Sequence, residues 1–210
     1  MLIEIHADVL CPWSYIAKRR LEAAMAVLGD TRIGIVWRSF ELSPEGGAMP
    51  GESAADMIRQ WRGDAAAARI AEIMALGAEE GIRLDLENAR PVNSFDAHRL
   101  IHLGAASGKA DAMMERLLRA YHSEAQNIAD AGVLERLGRE AGLAPSSVAA
   151  LLAGEAFADA VHADRRLAVE RGISGVPVMV LAGQAPTSAV KPVAALVGLL
   201  QRAAASQPGG

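Results

Sequence analysis

One cysteine, Cys11, is all the thiol chemistry this chain of 210 residues contains. That excludes an internal disulfide framework and any metal site built on several thiolates. Aromatic residues are scarce, at 4%, while alanine is abundant, a balance that favours helices. Basic residues number 21 against 25 acidic ones, a net charge of -4, so no basic footprint for nucleic acid is expected. No uncharged apolar run reaches the roughly 18 residues of a membrane-spanning helix. The N-terminus lacks a basic segment, and Glu4, His6 and Asp8 interrupt its apolar run, so no signal peptide is expected. These absences predict a cytoplasmic protein without membrane or nucleic-acid partners. What is present, 51% apolar and 22% charged residues, suffices for a substantial core in one domain with an insertion or two small domains.

The chain opens as strand, helix, strand. Residues 2–8 alternate apolar and polar side chains, 12–28 have helical period with Gly29 as a stop, and 33–40 are rich in β-branched and aromatic residues. Such a βαβ unit demands a parallel pair. Loop chemistry follows over 43–51, then helices are predicted at 54–62, 65–80, 94–107, 109–123, 131–141 and 146–152. A longer helix is predicted at 155–171, closed by Gly172. Strands at 178–181 and 185–189, a terminal helix at 191–205 and a frayed tail at 206–210 complete the reading. The two β-containing ends are expected to share one sheet, since neither half is stable alone. The expected division is 1–42 with 154–205 as one domain and 43–153 as a helical insertion.

Cys11 stands where the first strand gives way to the first helix, in Cys11-Pro12-Trp13-Ser14. Unpaired backbone N–H groups and the helix dipole favour a thiolate there. Pro12 suits the first helical turn because its missing N–H would have no partner. The alternative for Cys11 is a small buried hydrophobe. Ser14 lies one turn on, on the same face, either donating to the thiolate or capping the turn. It leaves Cys11 without an internal partner thiol. Trp13 is either an apolar wall for a substrate or a packing residue. Asp8, on the strand leading to Cys11, is expected to organise the site rather than react.

A thiol at this junction, followed much later by Gly175-Val176-Pro177 before a strand, resembles the thioredoxin fold, and the helical insertion resembles its DsbA branch. More closely, the chain is similar to the FrnE-like members and to their relatives, the 2-hydroxychromene-2-carboxylate isomerases and kappa-class glutathione transferases. The matching segments are 8–19, 93–100, 120–128 and 172–177. The fold implied is α/β, a thioredoxin fold with an all-helical insertion. FrnE-like proteins usually have a second cysteine where Ser14 stands, and the isomerase and kappa-class proteins a serine where Cys11 stands. The aspartate that those relatives place after the last strand to hold glutathione has no counterpart here.

The resemblance implies a thiol-disulfide oxidoreductase that works with one thiol. Cys11 and Ser14 would be the catalytic pair, and Pro12, Trp13 and Asp8 would support them. Val176 and Pro177, joined by a cis bond, would face the thiol and bind substrate. Asn93 and Arg99 either border the cleft above Cys11 or serve the start of their own helix. Tyr121, His122, Glu124 and Asn127 either line the cleft or end a helix. His98 and His102, spaced i, i+4, lack a third ligand nearby and read as a packing pair, so no metal is expected. No cofactor is expected to be tightly bound, with glutathione as a co-substrate. The expected partners are a disulfide-bearing or glutathionylated substrate, or a small molecule, and a second copy of the chain in a homodimer. Two other functions compete: a glutathione-dependent isomerase or transferase, and a redox-inactive binding module.

Overall fold

A computed structural model describes residues 1–29 and 33–205; the predicted tail at 206–210 lies outside them. The centre is a sheet of strand order β2-β1-β3-β4. β1 (Leu2–Ala7) runs parallel to β2 (Gly34–Ser39), and β3 (Val178–Leu181) is antiparallel to β1. The register sets Ile5 beside both Trp37 and Met179, so the alternation of β1 places Ile3, Ile5 and Ala7 in the core. β4 (Thr187–Ser188) is shorter than the expected strand at 185–189 and pairs, among the described residues, only with Val178 and Met179 of β3, after a turn through left-handed Ala182 and Gly183.

α1 (Pro12–Leu28) has the predicted bounds, with Pro12 in its first turn and Gly29 closing it at φ 61. Its apolar face packs on α9 (Val193–Ala205), which brings Leu196, Leu200 and Ala203. α9 starts two residues later than predicted. Pro192 precedes its first residue and disfavours helical backbone at Lys191.

Between β2 and β3 lie α2 (Ala54–Arg62), a short 3-10 turn, α3 (Ala66–Glu79), α4 (Phe95–Ala106), α5 (Ala110–His122), α6 (Ala131–Glu140), α7 (Pro145–Ala153) and α8 (Ala158–Glu170). α8 begins later than the predicted 155 because Phe157 takes a left-handed conformation at φ 64. Two placements matter for the site. α2 begins with a capping box, Ser53 Oγ accepting from Asp56 N at 3.0 Å. Its first N–H groups donate to Ala89 O and Leu86 O at 2.8 and 2.9 Å. α3 and α5 pack on α1, and α4 and α5 pack on β2. A single apolar cluster runs from the sheet through Leu100, Met114, Leu117 and Leu134 of these helices.

Candidate active site at Cys11

Cys11 is the N-cap of α1 in extended conformation, and its side chain makes no capping bond. The turn is closed by the backbone: Cys11 N donates to Asp8 O at 3.2 Å, and Ser14 N to Cys11 O at 3.0 Å. The thiol is thereby left to face the β3 side, where Sγ donates to Val176 O at 3.6 Å. The Val176–Pro177 bond is cis, and its loop abuts Cys11, as expected.

Burial works against the acidic thiol expected at a helix start. Cys11 is only 5% exposed, and burial pushes its pKa up to about 11. The N–H and hydroxyl of Ser14 and the N–H of Trp13 oppose the rise, while the negative charge of Asp8 adds to it. The helix start does supply N–H groups to the sulfur, but they recover only part of what removal from water costs the thiolate. Ser14 is itself fully buried, and its Oγ has no hydrogen-bond partner of good geometry among the described residues.

Asp8 is fully buried beneath this turn. It accepts from Leu42 N at 2.7 Å, from Leu10 N at 3.3 Å, and contacts His98 Nε2 at 3.3 Å. One carboxylate thus ties the Cys11 turn to the loop after β2 and to α4. His122 lies close by. Its ring is fully buried near the backbone of Val9 and Cys11, edge-on to Tyr121 with centroids 4.7 Å apart. Burial pushes the His122 pKa down to about 4, so the imidazole is neutral at pH 7.

Over Cys11 opens a cleft of about 450 Å³, walled by Trp13, Met57, Ile58, Trp61, Leu86 and Tyr121, with Arg62 and Arg69 also along it. A second, shallower depression of about 280 Å³ lies at Val176 and Pro177, bounded by Ser188 and Val190. Trp13 and Arg69 line both.

The DSBA-like thioredoxin domain model matches residues 2–201. The chain belongs to the DsbA-like family. It is similar to a probable DsbA oxidoreductase from Streptomyces coelicolor, with 30% identity over 100% of this chain and 92% of that one, and a TM-score of 0.91. The cytosolic disulfide reductase DsbM of Pseudomonas aeruginosa shares the fold at 22% identity, covering 98% of this chain and 100% of its own, TM-score 0.68. A 2-hydroxychromene-2-carboxylate isomerase does so at 17% identity, covering 96% and 95%, TM-score 0.70. No curated protein matches the chain.

On this DsbA-like frame, Cys11, Pro12, Trp13, Ser14, Asp8, Val176 and Pro177 come together around one thiol. Asn93 and Arg99 are engaged elsewhere, in place of the expected cleft border. Asn93 Oδ1 accepts from Phe95 N at 2.9 Å and its amide donates to Pro44 O at 3.1 Å, so it starts α4 and holds the loop after β2. Arg99 is buried against Asp96 and the carbonyls of Leu151, Gly154 and Ala156. The segment 121–127 divides: Tyr121 reaches the cleft, Glu124 pairs with Arg116 and Arg119, and Asn127 donates to Ala48 O. His98 and His102 have separate partners, Asp8 for the first and Ser39 with Asp164 for the second. Ser39, His102 and Asp164 resemble a hydrolytic triad by composition, but both contacts fall on Nε2. A working triad needs the serine and the carboxylate on opposite ring nitrogens.

The walls supplied by α2 and α3 were missed in the sequence. Met57, Ile58 and Trp61 recur at helical spacing, which reads as a core stripe, yet Trp61 is 71% exposed. An indole beside Arg62 at a helix end was the available signal.

Proposed function

We propose that the chain is a monothiol thiol-disulfide oxidoreductase of the FrnE-like kind, acting through Cys11. The observation that carries this reading is the thiol's position: it lines the cleft and touches the carbonyl of Val176 across the fold. In the proposed reaction Cys11 Sγ attacks a substrate disulfide. The Sγ–S bond forms as the S–S bond breaks, the leaving sulfur departs as a thiolate, and the Cys11 proton passes to solvent. A free thiol such as glutathione then attacks the mixed disulfide. It restores Cys11 and leaves with the retained half as a new disulfide. Ser14 cannot perform that second attack. The buried resting thiol makes the first step slow at neutral pH and faster as pH rises.

Intact mass after incubation with glutathione disulfide tests this. The expected result is one glutathionyl adduct per chain, lost on Cys11→Ser and reversed by free glutathione. No adduct up to pH 9 refutes it. Ser14→Cys supplies a second arm. It should form an internal disulfide with Cys11 and reduce insulin faster than the natural chain does.

A second reading has its own support. A protonated, buried thiol beside an apolar cleft is suited to donate a hydrogen bond to a bound sulfur, as an isomerase or transferase of the glutathione-dependent type would require. Glutathione held without a covalent adduct would select that reading.

A further inference from the structure

Arg69 comes from α3, far in sequence from the Cys11 turn, yet its guanidinium sits 4.6 Å from the centroid of the Trp13 ring. Among the described residues its ionic contact is Glu72 Oε2 at 2.7 Å. Both partners are partly solvated, at 35% and 51% exposure, so this pair is a weak tether that a ligand carboxylate can replace at little cost. Of the described residues, Trp13 and Arg69 are shared by the apolar cleft and the depression at Val176–Pro177. Apart from Arg62, which lines the cleft alone, the rest of the wall is mostly apolar and aromatic. A ligand that fills it and reaches the Val176 side must pass this cation.

We propose that Arg69 is a specificity-determining residue, selecting small aromatic or otherwise apolar disulfides that carry a carboxylate near the S–S bond. The apolar body lies in the cleft against Trp13 and Trp61. The carboxylate pairs with the Arg69 guanidinium, whose flat fork donates to two oxygens while its face stays on the indole. The sulfur is thereby delivered to Cys11, and exchange follows as above. The inference rests on Cys11 being the reacting thiol.

Two aromatic disulfide reagents separate the claims: dithiobis(nitrobenzoate), which carries carboxylates, and dithiodipyridine, which is neutral at pH 8. Rates of Cys11 modification are measured for both and normalised to the same chain unfolded in urea. In the natural protein the normalised ratio should favour the carboxylate reagent, and the preference should shrink with added salt. Arg69→Met should lower the ratio about tenfold, the worth of a charge-assisted hydrogen bond. Arg69→Lys should keep part of it. Arg62→Met, at a cation that lines the cleft alone, should change it by no more than about twofold. An unchanged ratio in Arg69→Met overturns the proposal, as does an equal fall in Arg62→Met or a salt-independent ratio in the natural protein. If neither reagent modifies folded Cys11, while both modify the unfolded chain, the oxidoreductase reading itself fails.

Discussion

Two buried ionisable groups sit about two turns apart on α1 and behave in opposite ways. Lys18 is 2% exposed, yet burial does not neutralise it: hydrogen bonding to Glu22 and the charges of Asp111 and Glu115 outweigh the desolvation and raise its pKa. Asp111 and Glu115 stand 3.1 and 3.3 Å from its Nζ. Cys11 and the neighbouring His122 are buried as deeply, but Cys11 faces the like charge of Asp8, and for His122 the same carboxylate offsets only part of the desolvation, so both are held neutral. Burial alone therefore does not decide the state of a group in this fold; what faces it does. The cationic end ties α1 to α5, since Tyr15 and Arg19 also reach Glu115. The neutral end faces the cleft.

The largest effect should come from breaking the charged end. Lys18→Met fits the space but leaves three carboxylates around an apolar tip. Removing one partner of a buried ion cluster costs roughly 3–5 kcal/mol; the partial exposure of the carboxylates favours the lower part of that range. Urea unfolding at pH 7 measures it. A loss under 1 kcal/mol would mean the cluster does not hold α1 to α5.

The neutral end should respond to acid. His122 has its folded pKa depressed to about 4, against an ordinary value near 6.5. Its neutral form therefore gives full stability above pH 6.5, and that stability is lost as pH falls towards 4, when the unfolded chain takes up a proton that the folded chain refuses. The shift corresponds to roughly 3 kcal/mol over that window. His122→Phe keeps a ring beside Tyr121 and cannot titrate. The difference in unfolding free energy between the two proteins should shift in favour of the variant as pH drops from 7 to 4. A constant difference would show that His122 charges freely in the folded state.

The contrast between these two ends was only half legible in the sequence. Strand alternation, Pro12 and Gly29 define β1 and α1 locally, and the helical period after the loop at 43–51 gives the bounds of α2 to the residue. The Cys11 turn and Asp8 as organiser were likewise readable from residues 8–14, whereas the cis bond at Val176–Pro177 and its place opposite Cys11 came only from the family resemblance. The protonation of the thiol was not readable. It depends on the burial that packing imposes, part of it by the Val176 loop, 165 positions away, which meets the thiol. A sequence displays the N–H groups of a helix start but not the water that packing removes. The start of α8 failed for a similar reason, since no local pattern announces left-handed backbone at Phe157. Of the two roles open to Asn93 and Arg99, the structure shows the one at the start of their own helix, while the carbonyls they also bind, at Pro44 and in 151–156, are brought to them by packing.

The smallest effect is also the most discriminating for the neutral end. The Ser14 hydroxyl is buried, lacks a partner of good geometry among the described residues, and opposes the rise in the Cys11 pKa. Removing an unsatisfied hydroxyl returns its desolvation cost, so Ser14→Ala should change stability by less than about 1 kcal/mol. Its effect should appear in reactivity instead. In the natural protein, the iodoacetamide alkylation rate of Cys11 should climb about tenfold per pH unit from 7 to 10, because thiolate is the attacking form and the midpoint lies near 11. In Ser14→Ala the slope should be the same, and the rate at each pH should fall a few-fold as the thiolate loses a donor. A plateau at or below about 8.5 in the natural protein would show that the helix start outweighs burial after all, and Cys11 would then belong with Lys18 as a buried group that keeps its charge.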